Sequence, residues 1–137
     1  HTEPCEISQR FYWCNWDVEQ PEDKGILLKD IIDCGFVEKD KSWCVLESWN
    51  RCPKKTESAK GRYKRSMMPI VFDDEGCNFD YGWRELDIFE VEKLQTVPTG
   101  YCRSVADKVG KGLLGNGWTV DVIKHILDSS GLHHANT

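Results

Sequence analysis

The sequence predicts an α+β fold: a small mixed or antiparallel sheet with a basic loop, followed by a helical C-terminal half. Three observations predict it. Short aromatic and β-branched runs occupy the chain up to residue 72. A capping-box pattern and helical apolar spacing follow from residue 87 onward. The length, 137 residues, is that of one domain. Neither an internal repeat nor a low-complexity tract divides the chain, so residues 1–137 read as a single unit.

Taken in order, Phe11-Tyr12-Trp13-Cys14-Asn15-Trp16 reads as a buried strand, because aromatic residues favour a pleated, packed surface. Beyond Pro21, residues Ile26, Leu27, Leu28 and Ile31 form an apolar helical face that Gly35 ends. Residues 42–49 and 68–72 read as two further strands. The charged stretch between them is expected as a hairpin connection or a loop standing off the sheet. Asp73-Asp74-Glu75-Gly76 is a turn by composition.

The second half is expected to be helical. Asp87 and Glu90 form a capping box, starting a helix with Val91, Leu94 and Val97 inward that stops near Pro98. Ser104 is expected to cap a short helix through Val109, after which Gly110, Gly112, Gly115 and Gly117 interrupt regular structure. Thr119 is placed as the cap of a last helix, with Val120, Ile123, Ile126 and Leu127 inward and Gly131 as its stop.

At 39% hydrophobic and 30% charged residues, the composition is that of a globular protein. No apolar run approaches the roughly 18 residues a membrane helix needs, and no secretory segment opens the chain. The expectation is a soluble, cytoplasmic protein without membrane contact. The seven cysteines are dispersed, with no Cys-x-x-Cys pair, so neither zinc nor a disulfide framework is expected. Most of the thiols read as small buried hydrophobes, and His133-His134 as part of a polar tail.

Charge is concentrated. Residues 51–65 hold seven cations (Arg51, Lys54, Lys55, Lys60, Arg62, Lys64 and Arg65) and one anion, Glu57. That stretch is net +6, so the rest of a chain whose total is −5 carries −11. Such a segment can bind a polyanion while the remainder keeps the protein soluble; the alternative is a solvated loop without a ligand.

Leu94-Gln95-Thr96-Val97-Pro98, followed by Leu114-Gly115-Asn116-Gly117-Trp118-Thr119-Val120, resembles motifs IX and X of DNA cytosine-5 methyltransferases. The resemblance spans residues 84–127 and is to phage-type and de novo-type variants. Arg84, Leu86, Glu90, Leu94, Gln95 and Pro98 occupy matching positions. Asp87 stands where the family has threonine and Lys93 where it has arginine; each keeps the physical role of cap or cation. Arg10-Phe11-Tyr12-Trp13 is similar to the end of motif VIII, although Ser8 and Glu6 replace that motif's first arginine and its glutamine.

The resemblance implies a bracing role for motif IX. It implies an approach of Asn116, Gly117 and Trp118 to S-adenosylmethionine, and a contact of Arg10 with a flipped cytosine. On the residues alone, Gly115-Asn116-Gly117 is equally a turn, Trp118 a core residue and Arg10 a strand-edge cation. Residues 17–83 would be the target recognition region, with 84–131 the helical region of motifs IX and X. Double-stranded DNA is then the expected partner: Arg51, Arg62, Lys64 and Arg65 are the first candidates for contact, and Lys54, Lys55 and Lys60 for phosphates.

Catalysis is not expected from these residues alone. Pro4-Cys5 lies too close before Tyr12-Trp13 to be the family's nucleophile, and no Phe-x-Gly-x-Gly loop or Glu-Asn-Val motif is present. No catalytic residue is assigned. S-adenosylmethionine is expected only if a catalytic partner completes the site. The alternatives are a stand-alone DNA-binding or regulatory protein, as a monomer or a homodimer, and a truncated remnant without a nucleic-acid role.

Overall fold

The computed structural model describes residues 11–131 together with the backbone of Glu6–Ile7. The elements run β1 (Glu6–Ile7), α1 (Leu28–Ile31), β2 (Ser42–Trp43), α2 (Thr56–Lys64), β3 (Val71–Phe72), β4 (Trp83–Arg84), α3 (Ile88–Leu94), α4 (Asp107–Asn116) and α5 (Val120–Ser129). Single 3-10 turns, Glu47–Asn50 and Phe79–Tyr81, join them. β1 pairs with β2 in parallel, and β3 pairs with β4 antiparallel. A further bridge from Phe36 to Phe72 extends the second sheet. The architecture is α+β with a helical C-terminal half.

Several local expectations do not survive packing. Phe11-Trp16 bends at Asn15-Trp16 and joins no sheet among the described residues. Its alternation turns Tyr12, Cys14 and Trp16 inward and leaves Phe11 87% and Trp13 95% exposed. Only Ser42–Trp43 of the second expected strand is β, because the chain turns at Glu47–Asn50 to bury Trp49. The helix after Pro21 shrinks to the single turn of α1, with Gly35 in the left-handed region at φ +97°.

The C-terminal helix corrects the reading of the glycines. α4 is continuous from Asp107 to Asn116, starting after Ala106 rather than at Ser104, and Gly110, Gly112 and Gly115 lie inside it. They are there because of what they touch. A Cβ on Gly115 would stand 2.3 Å from the Leu46 carbonyl carbon and the Glu47 nitrogen. One on Gly110 would meet Ile88 at 2.9 Å. Glycine lets α4 approach neighbouring backbone closely enough to bury Leu114 and Trp49 in one core.

α3 is the post to which the rest is tied. Its capping box is formed: Glu90 N–H donates to Asp87 Oδ1 at 2.8 Å, and Asp87 N–H donates to Glu90 Oε1 at 2.9 Å. The helix closes in a Schellman motif, with Val97 N–H donating to the Glu92 carbonyl and Thr96 N–H to that of Lys93. Thr96 takes the left-handed position at φ +57°, where glycine is usual, and its Oγ1 accepts from Asp121 N–H at 2.8 Å.

Three buried polar side chains on α3 each hold another segment. Glu90 receives both guanidinium arms of Arg84, at 2.6 and 2.9 Å, and the Asp33 amide at 2.9 Å. Glu92 accepts from the Gly100 and Cys102 amides. At the helix end, Gln95 donates to the Leu114 carbonyl at 2.6 Å and accepts from Thr119 Oγ1 at 3.0 Å.

α5 stops before Gly131, as its pattern predicts, but the residue it buries is Val122; Ile123 and Ile126 are half-buried, and Val120 and Leu127 face solvent. Thr119 is its N-cap residue by position, yet the hydroxyl is spent on Gln95 rather than on a cap. No helix among the described residues is long and apolar enough to cross a membrane.

Two outcomes follow from this packing. Gly115→Ala is expected to lower stability by about 2 kcal/mol in chemical denaturation, because backbone cannot retreat from the new methyl, although alanine favours a helix by about 1 kcal/mol. Glu90→Gln is expected to cost about 3 kcal/mol, since it leaves a guanidinium without its buried partner. Burial alone would raise the Glu90 carboxyl, but Arg84 and the Asp87 and Asp33 amides outweigh it and hold the group below its ordinary 4.5. A depressed folded value gives stability that is present above the unfolded value and lost as pH falls through the folded one. Unfolding free energy should therefore drop on acidification from about pH 5 downward, and drop less steeply in Glu90→Gln.

Candidate nucleic-acid interface

The basic segment is not a loop. Thr56–Lys64 forms α2, and the reason lies in two residues at helical spacing: Ala59 is fully buried, and Tyr63, one turn on, packs against the core. Tyr63 sits edge-on to Trp43, Phe72 and Phe79, with ring centroids 5.8 to 5.9 Å apart. Burial, with Glu38 adding to it, raises the Tyr63 phenol well above its usual range, so it stays neutral. Thr56 Oγ1 accepts from the Trp83 indole at 3.1 Å. The helix ends in a second Schellman closure, Met67 N–H to the Arg62 carbonyl, with Ser66 at φ +60°.

The seven cations of residues 51–65 fall into two groups. Arg62 Nη1 donates to the Arg51 carbonyl at 2.7 Å, and Arg51 lies 3.6 Å from Glu47. Lys60 is 4.0 Å from Glu57 and 5.7 Å from the Phe79 ring centre. These three are engaged within the protein. Lys54, Lys55, Lys64 and Arg65 are exposed and form no ion pair among the described residues. The first two immediately precede the first turn of α2 and the last two close it, so the unpaired charge is gathered at both ends of one short helix.

Asn116, Gly117 and Trp118 lie together at the junction of α4 and α5. Asn116 is exposed, Gly117 is the C-cap of α4, and the Trp118 indole is 59% exposed rather than in the core. They make an open edge, enough for one wall of a ligand site and no more. Arg10, Pro4-Cys5 and His133-His134 lie outside the described residues.

Other groups on the protein have structural explanations. Asp33, Asp87 and Glu90 bring carboxylate oxygens within 4.8 Å of one another. However, Arg84, Lys93 and backbone amides already take up that charge. Lys111 is buried against Glu85 at 3.1 Å. Burial, and then Glu85, push the Cys52 thiol up to about 11, and burial likewise raises Cys77 and Cys102. All three therefore stay protonated and are poor nucleophiles. None of the six described cysteines is fully buried; Cys52, Cys77 and Cys102 pack at the margin of the core.

A cleft of about 310 Å³ runs between the 11–21 segment and α5, lined by Tyr12, Cys14, Trp16, Pro21, Val122 and Ile126. Trp16 Nε1 donates to the Ile126 carbonyl at 3.0 Å, and His125 Nε2 lies 2.7 Å from the Glu19 carbonyl. The residue pattern gave no sign of this cleft, because it joins segments more than 100 positions apart. The division of the cations was equally unreadable, since it depends on which carbonyls and carboxylates the fold brings near. No protein-family model and no curated protein matches this chain.

Proposed function

We propose that this chain binds double-stranded DNA as the target-reading part of an assembly resembling a cytosine-5 DNA methyltransferase. One observation carries the reading: an otherwise acidic protein holds, at the two ends of α2, four exposed cations that form no ion pair among the described residues. Their separation from compensating carboxylates leaves them available to displace counterions from a phosphate backbone. The likeness of residues 84–127 to motifs IX and X supplies the family. The role of α3 as a brace, through Glu90, Glu92 and Gln95, is in keeping with that likeness.

The residues of this chain include neither the glycine-rich cofactor loop nor the Glu-Asn-Val motif, and its Pro-Cys is misplaced. Methyl transfer would draw those groups from another polypeptide or another part of a longer one. S-adenosylmethionine, when bound, would supply the methyl group; Asn116, Gly117 and Trp118 would form one side of its site. A second reading, a stand-alone DNA-binding protein that dimerises, is favoured by the exposure of Phe11, Trp13 and Trp118.

Binding to a labelled duplex should be detectable at low salt and weaken as salt rises. Four phosphate contacts imply a slope of log K against log salt of about −3.6. Absence of binding near 50 mM salt, or a flat slope, would remove the DNA reading. Adding a catalytic chain that carries the three missing motifs should yield methyl transfer to cytosine. Persistent binding with no transfer, together with a dimer by light scattering, would favour the second reading.

A further inference from the structure

α2 carries a glycine that the protein itself does not need. Gly61 lies in the middle of the helix, directly opposite the buried Ala59 and Tyr63, at the crest of the outward face. A helix-interior glycine costs about 1 kcal/mol relative to alanine. The nearest atoms a Cβ would meet at this position belong to the Arg65 guanidinium, a flexible side chain, at 3.4 Å, and the backbone is not left-handed. Gly115 shows the contrast, since its missing Cβ is demanded by backbone at 2.3 Å. With Ser58 one turn before it, half-buried Gly61 adds no side chain of its own to the outward face, where four cations that form no ion pair among the described residues flank it. Glycine on an outward face permits a close approach from outside.

We propose that duplex DNA seats on this crest. The sugar–phosphate backbone of one strand lies against Ser58 and Gly61, with Lys54 and Lys55 on phosphates to one side and Lys64 and Arg65 on phosphates to the other. Arg51, Lys60 and Arg62 hold the helix and do not touch the ligand. From Lys55 to Lys64 the helix rises roughly 14 Å. That spans about four phosphates along one strand at about 3.4 Å of axial rise each. The inference rests on the DNA reading above and adds where the duplex sits and how many charges it meets.

The test measures duplex affinity across salt, with a thermal midpoint for every variant. Gly61→Leu should fold at least as stably as the parent, because leucine is the better helix former. It should nevertheless bind the duplex about tenfold or more weakly, the loss expected of a blocked contact worth about 1.4 kcal/mol. Gly61→Ala, which adds one methyl, should raise the midpoint and weaken binding less. Converting Lys54, Lys55, Lys64 and Arg65 to glutamine should flatten the salt slope by about 0.9 per cation removed. Lys29→Gln with Lys108→Gln, exposed cations away from α2, should leave it unchanged.

Undiminished binding by a folded Gly61→Leu protein overturns the seating on this crest. Retention of the slope in the four-glutamine variant, or an equal loss per charge in the Lys29 and Lys108 control, overturns the assignment of the four cations. In each case the parent still binds, so the DNA reading survives. A parent protein that binds no duplex at low salt overturns both together.

Discussion

The ion pair of Arg84 with Glu90 is the interaction on which the arrangement of this protein depends. A carboxylate with no exposed surface is costly unless every lone pair is used. Here four donors converge on two oxygens: both arms of Arg84 and the amides of Asp33 and Asp87. Each arm of Arg84 also donates to a carbonyl, Nη1 to that of Glu85 and Nη2 to that of Cys34. One node thus joins β4, the start of α3 and the loop after α1. A network satisfied this completely tolerates no partial version of itself, so it imposes one relative placement on those three segments.

β4 carries that placement to the candidate interface. It is only two residues long, and its pleat sends neighbouring side chains to opposite faces. Arg84 goes to α3, while Trp83 goes to α2, donating to Thr56 and leaning on Phe79. Phe79 in turn meets Tyr63 and supports Lys60. The pose of the basic helix is therefore set through an aromatic bridge from a buried carboxylate, not by its own propensity. This explains how a helix with a glycine and five basic residues between Lys55 and Arg65 is held in place. Intrinsic stability is low in so short a segment, and packing of its inner face supplies what is missing.

The features legible in the sequence are those whose cause is local. Asp87 and Glu90 could be paired by counting three residues, and Gly131 could be placed as a stop because a left-handed residue ends α5. Asp73-Asp74-Glu75-Gly76 forms its turn through Asp74, whose carboxylate accepts from Gly76 N–H. The illegible features have distant causes. Nothing near Gly115 says that Leu46 will press against it, and nothing near Ala59 says that it will be the inner face of a helix among so many charges. Trp13 shows the same limit in reverse: its composition reads as interior, yet no described residue covers it. At the candidate interface the charge of residues 51–65 was plain, but the separation of engaged from free cations depended on the Arg51 carbonyl, Glu47 and Phe79.

Glycine therefore means two different things in one chain. At positions 110, 112 and 115 its missing side chain is consumed inside, where α4 meets Ile88, Asn50 and the backbone at Leu46. The helix loses propensity there and gains a core, an exchange that closes within the folded protein. At position 61 the nearest neighbour is the flexible Arg65 side chain rather than backbone, and no left-handed conformation calls for the glycine. The four cations beside it are in a similar position, because they carry like charge and meet no carboxylate among the described residues. Both features belong to one short helix, and on the proposed reading the arrival of a polyanion close to the helix backbone would offset both.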